Sequence, residues 1–261
     1  MTVEWARLAQ PQDDGYDTRI IEEYAAKTYQ WARVAPAANW LDGAVRLRND
    51  DFQPSPDLLP APFDHPNIIL GEQYLRRWPA MCAQVQRLLT DIWVCDWRLA
   101  GPGGRGCFCG TVGGNGFGMI FSSVFDPVGF VEGIVHELGH WKLHALGIHF
   151  EEWDDLIIAN KPDELFVSSI RKDKLRPMGA VLHAHYSYLN VLALDLAALP
   201  LRTDEFEHQG DLSNIRLNVE RTLEGQATIE MNARWTDAGA KFWKGAQAWT
   251  EQLLSQARSL A

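Results

Sequence analysis

The chain has 261 residues, 46% of them hydrophobic and 22% charged, with a formal net charge of −10; that length buries a substantial core, and one elaborated domain is the simplest organisation. The acidic balance and the lack of a long Lys/Arg run argue against a nucleic-acid partner, because phosphate binding needs a basic footprint. Glu4 and Arg7 interrupt the first ten residues and no stretch approaches bilayer length, so neither a signal peptide nor a membrane span is expected and the reading is cytoplasmic.

Residues 18–34 carry apolar side chains at three- and four-residue steps and predict a helix that stops before Pro36. Five prolines between 52 and 66 predict an extended linker, followed by a helix over 72–91 and a strand over 92–99. Nine of the eighteen residues from 101 to 118 are glycine, too costly in backbone entropy for a regular element, so a loop is expected. Within it, Cys107 and Cys109 lack a second cysteine pair of zinc-site spacing, and reduced thiols are expected there and at Cys82 and Cys95. The aromatic and β-branched run MIFSSVF, residues 119–125, reads as a strand, either a core strand or one offering its edge to an extended peptide.

Asp126-Pro127 then supplies an N-cap and a proline for the first helical position, predicting a helix over 127–145 that ends at Gly147. Residues 148–177 look irregular, and helices are predicted over 178–199, 211–234 and 237–260. The expected fold is α+β and mainly helical: a zincin-like metal helix, a small sheet and additional C-terminal helices. Residues 1–66 form a helical arm and proline-rich linker, 67–200 a catalytic core and 201–261 the last helices.

The chemistry centres on His136-Glu137-Leu138-Gly139-His140. Residues four apart on a helix share a face, so His136 and His140 can offer two imidazoles to one ion, with Glu137 beside them as base or supporting group. Zinc peptidases use this pattern. A third ligand must come from elsewhere, and His144, His149, Glu164 and His183 are the candidates. Three imidazoles in a straight row rise too far to converge on one ion, which counts against His144. The glycine of the extended metzincin pattern is absent, which counts against His149. Glu164 resembles the downstream glutamate of thermolysin-like peptidases. Trp141 reads as packing.

Residues 166–191, FVSSIRKDKLRPMGAVLHAHYSYLNV, together with IVHELGHWKLHAL, resemble the HExxH-motif proteins found beside gene clusters for ribosomally made, modified peptides. The resemblance covers roughly residues 110–200. It rests on the histidine helix, on Arg171, Asp173 and Arg176-Pro177 in an Arg-x-Asp-x-Arg-Pro-like stretch, and on Leu182-His183-Ala184-His185-Tyr186; Leu175 lengthens the basic stretch by one residue.

What the resemblance implies is a non-haem iron, 2-oxoglutarate-dependent peptide β-hydroxylase. His136, His140 and His183 would bind Fe(II), and Arg171 or Arg176 would grip the cosubstrate's distal carboxylate. Glu137 then becomes a supporting base or a ligand in place of His183. Such an oxygenase needs a metal with open positions and a cation for the carboxylate, which those residue types supply. The alternatives are a zinc peptidase with Glu137 as general base, and a peptide-recruiting protein with a degenerate metal helix.

Overall fold

The computed structural model describes residues 3–29, 39–50, 58–96, 109–111, 116–150, 156–170, 172–201 and 205–260. The chain is α+β and mainly helical, with seven α-helices and a small mixed sheet among these residues. None of the helices is long and apolar enough to cross a membrane.

After a 3-10 turn at Trp5–Ala9, helix α1 spans Tyr16–Thr28, and strands β1 (Arg46–Arg48) and β2 (Leu59–Pro60) follow. The predicted helix over 72–91 is two helices, α2 (Pro66–Leu75) and α3 (Pro79–Leu88), because each proline occupies the first turn, where its missing N–H costs nothing. α2 thus begins at the last of the linker prolines, capped by His65. Strand β3 (Asp91–Asp96) sits at the centre of the sheet, parallel to β1 and to β5 (Met119–Ser123), and antiparallel to β2. Strand β4 (Cys109–Thr111) closes the other side antiparallel to β5.

Helix α4, Pro127–Ala145, follows β5 and matches the predicted bounds. Asp126 accepts from the amides of Val128 and Gly129, so the first turn is satisfied as an N-cap requires. Val128, Phe130, Val131, Ile134, Leu138 and Leu143 are all buried, so apolar side chains cover most of the helix and it runs through the centre of the core. α2, α5 (Met178–Ala198) and the sheet pack on it, and Ile20 and Ile21 of α1 join the same core. A hairpin of β6 (Leu165–Phe166) and β7 (Arg176–Pro177) precedes α5; α6 (Glu205–Asn232) and α7 (Asp237–Arg258) complete the fold.

Two glycines set the site. A Cβ on Gly139 would lie 3.2 Å from Ser187 Oγ and from Asn190 Nδ2, so the bare backbone lets α5 approach α4 beside His140. Gly147 adopts a φ of 79° and turns the chain back along α4, as the predicted stop signal requires. Of the two readings of the run 119–125, the core strand is the one observed, over Met119–Ser123: β5 has strand partners on both sides at Ile120–Ser122 and no free edge there for a peptide.

Candidate metal centre

His136 and His140 sit on the face of α4 turned to α5, and their Nε2 atoms are 3.1 Å apart. Metal–imidazole bonds of 2.0–2.1 Å place two ligands on one ion roughly 3 Å from each other, so the pair has the spacing an ion needs. Glu137 Oε1 lies 3.9 Å from His136 Nε2, and His136, Glu137 and His140 form the group of possible ligands that the described residues bring together. Two imidazoles and a carboxylate suit zinc or iron.

Burial governs the protonation of this group. It pushes His136 down to about 4, with help from the Arg221 guanidinium, and holds His140 well below 6.5 with help from the neighbouring imidazoles. Both rings are therefore neutral at pH 7 and able to ligate. Burial drives Glu137 the other way, up to about 7, against the opposing pull of the Cys109 thiol and the Thr111 amide. Those two contacts come from β4, so the packing of α4 on the sheet anchors the carboxylate.

His183 lies fully buried on α5, outside the group of three. Its Nε2 is 2.8 Å from the Ile148 carbonyl and so carries the proton, which leaves Nδ1 as an acceptor. That Nδ1 is 3.0 Å from His140 Nδ1, and Ser187 Oγ is 3.1 Å from the same atom. His140 therefore donates from Nδ1, and its Nε2 lone pair faces His136. The chain from Ile148 through His183 to His140 fixes the tautomer that a metal requires.

The histidines open into a cavity of about 200 Å³ whose walls include Phe150, Ser168, Arg176 and Tyr188. Of the two arginines expected to grip a carboxylate, Arg176 lines this cavity, whereas Arg171 falls outside the described residues. Within the same basic stretch, Lys172 pairs with Glu224 in solvent. Cys107 also falls outside the described residues; Cys82, Cys95 and Cys109 form no disulfide with one another. Glu164, the thermolysin-like candidate, is tied to Arg234 and Asn160, away from the histidines. His144 and His149 pair with each other at 3.2 Å through their Nδ1 atoms, and His185 is buried against Trp243. Trp141 packs as expected, its ring against Phe117 and its Nε1 donating to the Met119 carbonyl.

Three residues near the centre carry no local signal in the sequence, and a fourth, Ser187, carries a weak one. Tyr188 meets His136 edge-on at 5.3 Å between ring centres, and Arg221 lies over Tyr188. Phe150 stacks 4.2 Å from His183 and covers His140. Ser187 could have been found from its place one turn after His183. No family model matches the chain, and no curated protein matches it.

Proposed function

We propose that the chain is a cytoplasmic non-haem Fe(II) oxygenase that uses 2-oxoglutarate to hydroxylate a β-carbon in a peptide, with α4 and its sheet in a zincin-like arrangement. The observation that carries this reading is the donor set: two neutral imidazoles and one carboxylate in reach of a single ion, beside a cavity with Arg176 in its wall. Such a set leaves coordination positions open, and iron bound there supplies the oxygen-activating chemistry.

In this reading the Nε2 atoms of His136 and His140 hold the metal and Glu137 completes the set. The Thr111 amide and Cys109 thiol orient that carboxylate. His183 acts as a positioning residue on the far nitrogen of His140, a role different from the ligand that the family resemblance implies. Arg176 offers a planar fork to the distal carboxylate of 2-oxoglutarate. Phe150, with Ala180 and Ala184 of α5, gives the cavity an apolar wall that limits water.

The test is product formation. Protein reconstituted with Fe(II) and given 2-oxoglutarate and oxygen should form succinate, and His136→Ala should abolish it. Peptide cleavage supported by zinc without 2-oxoglutarate would refute the oxygenase.

A zinc peptidase is the second reading, and one observation favours it. Glu137 is held at about 7, where a general base works well near neutral pH. Against it, Arg176 in the cavity wall has no role that hydrolysis requires.

A further inference from the structure

Arg7, Arg46, Arg48, Arg76, Arg87 and Arg234 each meet a carboxylate, as expected in a chain of net charge −10. Among the described residues, Arg221 on α6 meets none. Among the described residues it donates to Tyr188 Oη at 3.3 Å and to Asn218 Oδ1 at 3.4 Å, two long contacts to neutral oxygens. Its guanidinium carbon stands 5.0 Å from the centre of the Tyr188 ring. A guanidinium presents five donors in a planar fork matched to a carboxylate, so these contacts leave most of the fork uncommitted. The side chain is only half-buried.

Its position gives that fork a purpose. Tyr188 lines the cavity and meets His136 edge-on, so Arg221 stands just behind the wall nearest that ligand. Its charge is felt at His136, whose proton affinity it lowers.

We propose that Arg221 and the Tyr188 hydroxyl form a carboxylate-binding subsite at the His136 end of the cavity, which takes an acidic side chain or a chain-terminal carboxylate of the substrate. The inference rests on the proposed function, in which Arg176 serves the cosubstrate and leaves Arg221 to the substrate. The peptide hydroxylated is then one with a carboxylate close to the reacting carbon.

The experiment is an NMR titration of the full chain, without added metal, with N-acetylalanine and N-acetylalaninamide, which differ in carboxylate against carboxamide. The acid should bind wild type about tenfold more tightly or better, as a charge-assisted hydrogen bond implies. Arg221→Met should erase that preference, Arg221→Lys should keep part of it, and Tyr188→Phe should reduce it. Equal binding of the two probes by wild type, or a preference that survives Arg221→Met, overturns the proposal. If thermal melting shows Arg221→Met to be unfolded, Arg221→Gln and Arg221→Lys make the same comparison.

A second arm separates substrate from cosubstrate. Anaerobic affinity of the Fe(II)-loaded protein for 2-oxoglutarate should change less than about twofold in Arg221→Met and fall about tenfold or more in Arg176→Met. A large loss confined to Arg221→Met assigns Arg221 to the cosubstrate and overturns the proposal. If wild type binds no 2-oxoglutarate but keeps an Arg221-dependent preference for the acid probe, the oxygenase reading fails and the subsite stands.

Discussion

Replacing His183 by leucine cuts the chain that runs from the Ile148 carbonyl to His140 Nδ1. His140 is then free to carry its proton on either nitrogen and to rotate, and the tautomer with its lone pair on Nε2 is no longer imposed. Loss of such an outer partner costs roughly 10–100-fold in metal affinity, which is about 1.4–2.7 kcal/mol. The Ile148 carbonyl also loses its buried donor, at about 1–3 kcal/mol of folding stability, or roughly 2–4 °C of Tm for each kcal/mol in a chain of this size. The assay is competition for Fe(II) or zinc against a chelator, run beside His136→Ala and a thermal melt. His183→Gln keeps an N–H for Ile148 and an oxygen for His140, and should recover most of the lost affinity. Loss of metal by His183→Leu as complete as in His136→Ala would make His183 a ligand and refute the positioning role. Unchanged affinity would refute it equally.

Three further outcomes are expected. Lys142 is buried with its Nζ 3.8 Å from Asp17, which is also buried and accepts from Gln84; Lys142→Met strands that carboxylate and should cost about 3–5 kcal/mol in urea unfolding, with Asp17→Asn in the same chain restoring a good part. His185 is 1% exposed and burial pushes it down from 6.5 to about 4. Between those values the unfolded chain binds a proton that the folded chain does not, so its contribution is intact above pH 6.5 and is lost as pH falls toward 4. From pH 7 to pH 5 that is about 2 kcal/mol, so His185→Leu should lose about that much less stability than wild type over the interval, and parallel pH curves would contradict this. Gly139→Ala places a methyl 3.2 Å from Ser187 Oγ; the overpacking should cost about 1–3 kcal/mol and weaken metal binding by moving α5 off His140, whereas an unchanged affinity would show that the close approach does not matter.

Helix α4 was legible because its ends are written in local chemistry: Asp126 and Pro127 start it, Gly147 ends it, and the two histidines four apart need only the helix to share a face. Helix α7 declared itself through its apolar stripe of Phe242, Ala246, Trp249 and Leu253, whereas the buried face of α6 is largely polar and its start at Glu205 lies six residues before the predicted one. Strands of two or three residues, such as β2, β6 and β7, could not, since pairing with distant strands creates them and no periodicity fits in so short a run. The surroundings of Glu137 were hidden for the same reason, because Cys109 and Thr111 reach it from β4 across the sheet. A sequence can put His183 on a helix, but which nitrogen faces the Ile148 carbonyl and which faces His140 depends on how Gly147 and Gly139 bring three segments together. Arg221 has no local mark either. Its distinction is its place against Tyr188 beside His136, which only the packed α5 and α6 display.

The most direct test of the central claim is an anaerobic titration of the Fe(II)-loaded protein with 2-oxoglutarate, followed by the visible charge-transfer absorption of a chelated 2-oxo acid. This absorption should grow to saturation in wild type, be absent in His136→Ala, and need more 2-oxoglutarate in Arg176→Met. Wild-type protein that holds iron yet develops no such absorption would contradict that claim.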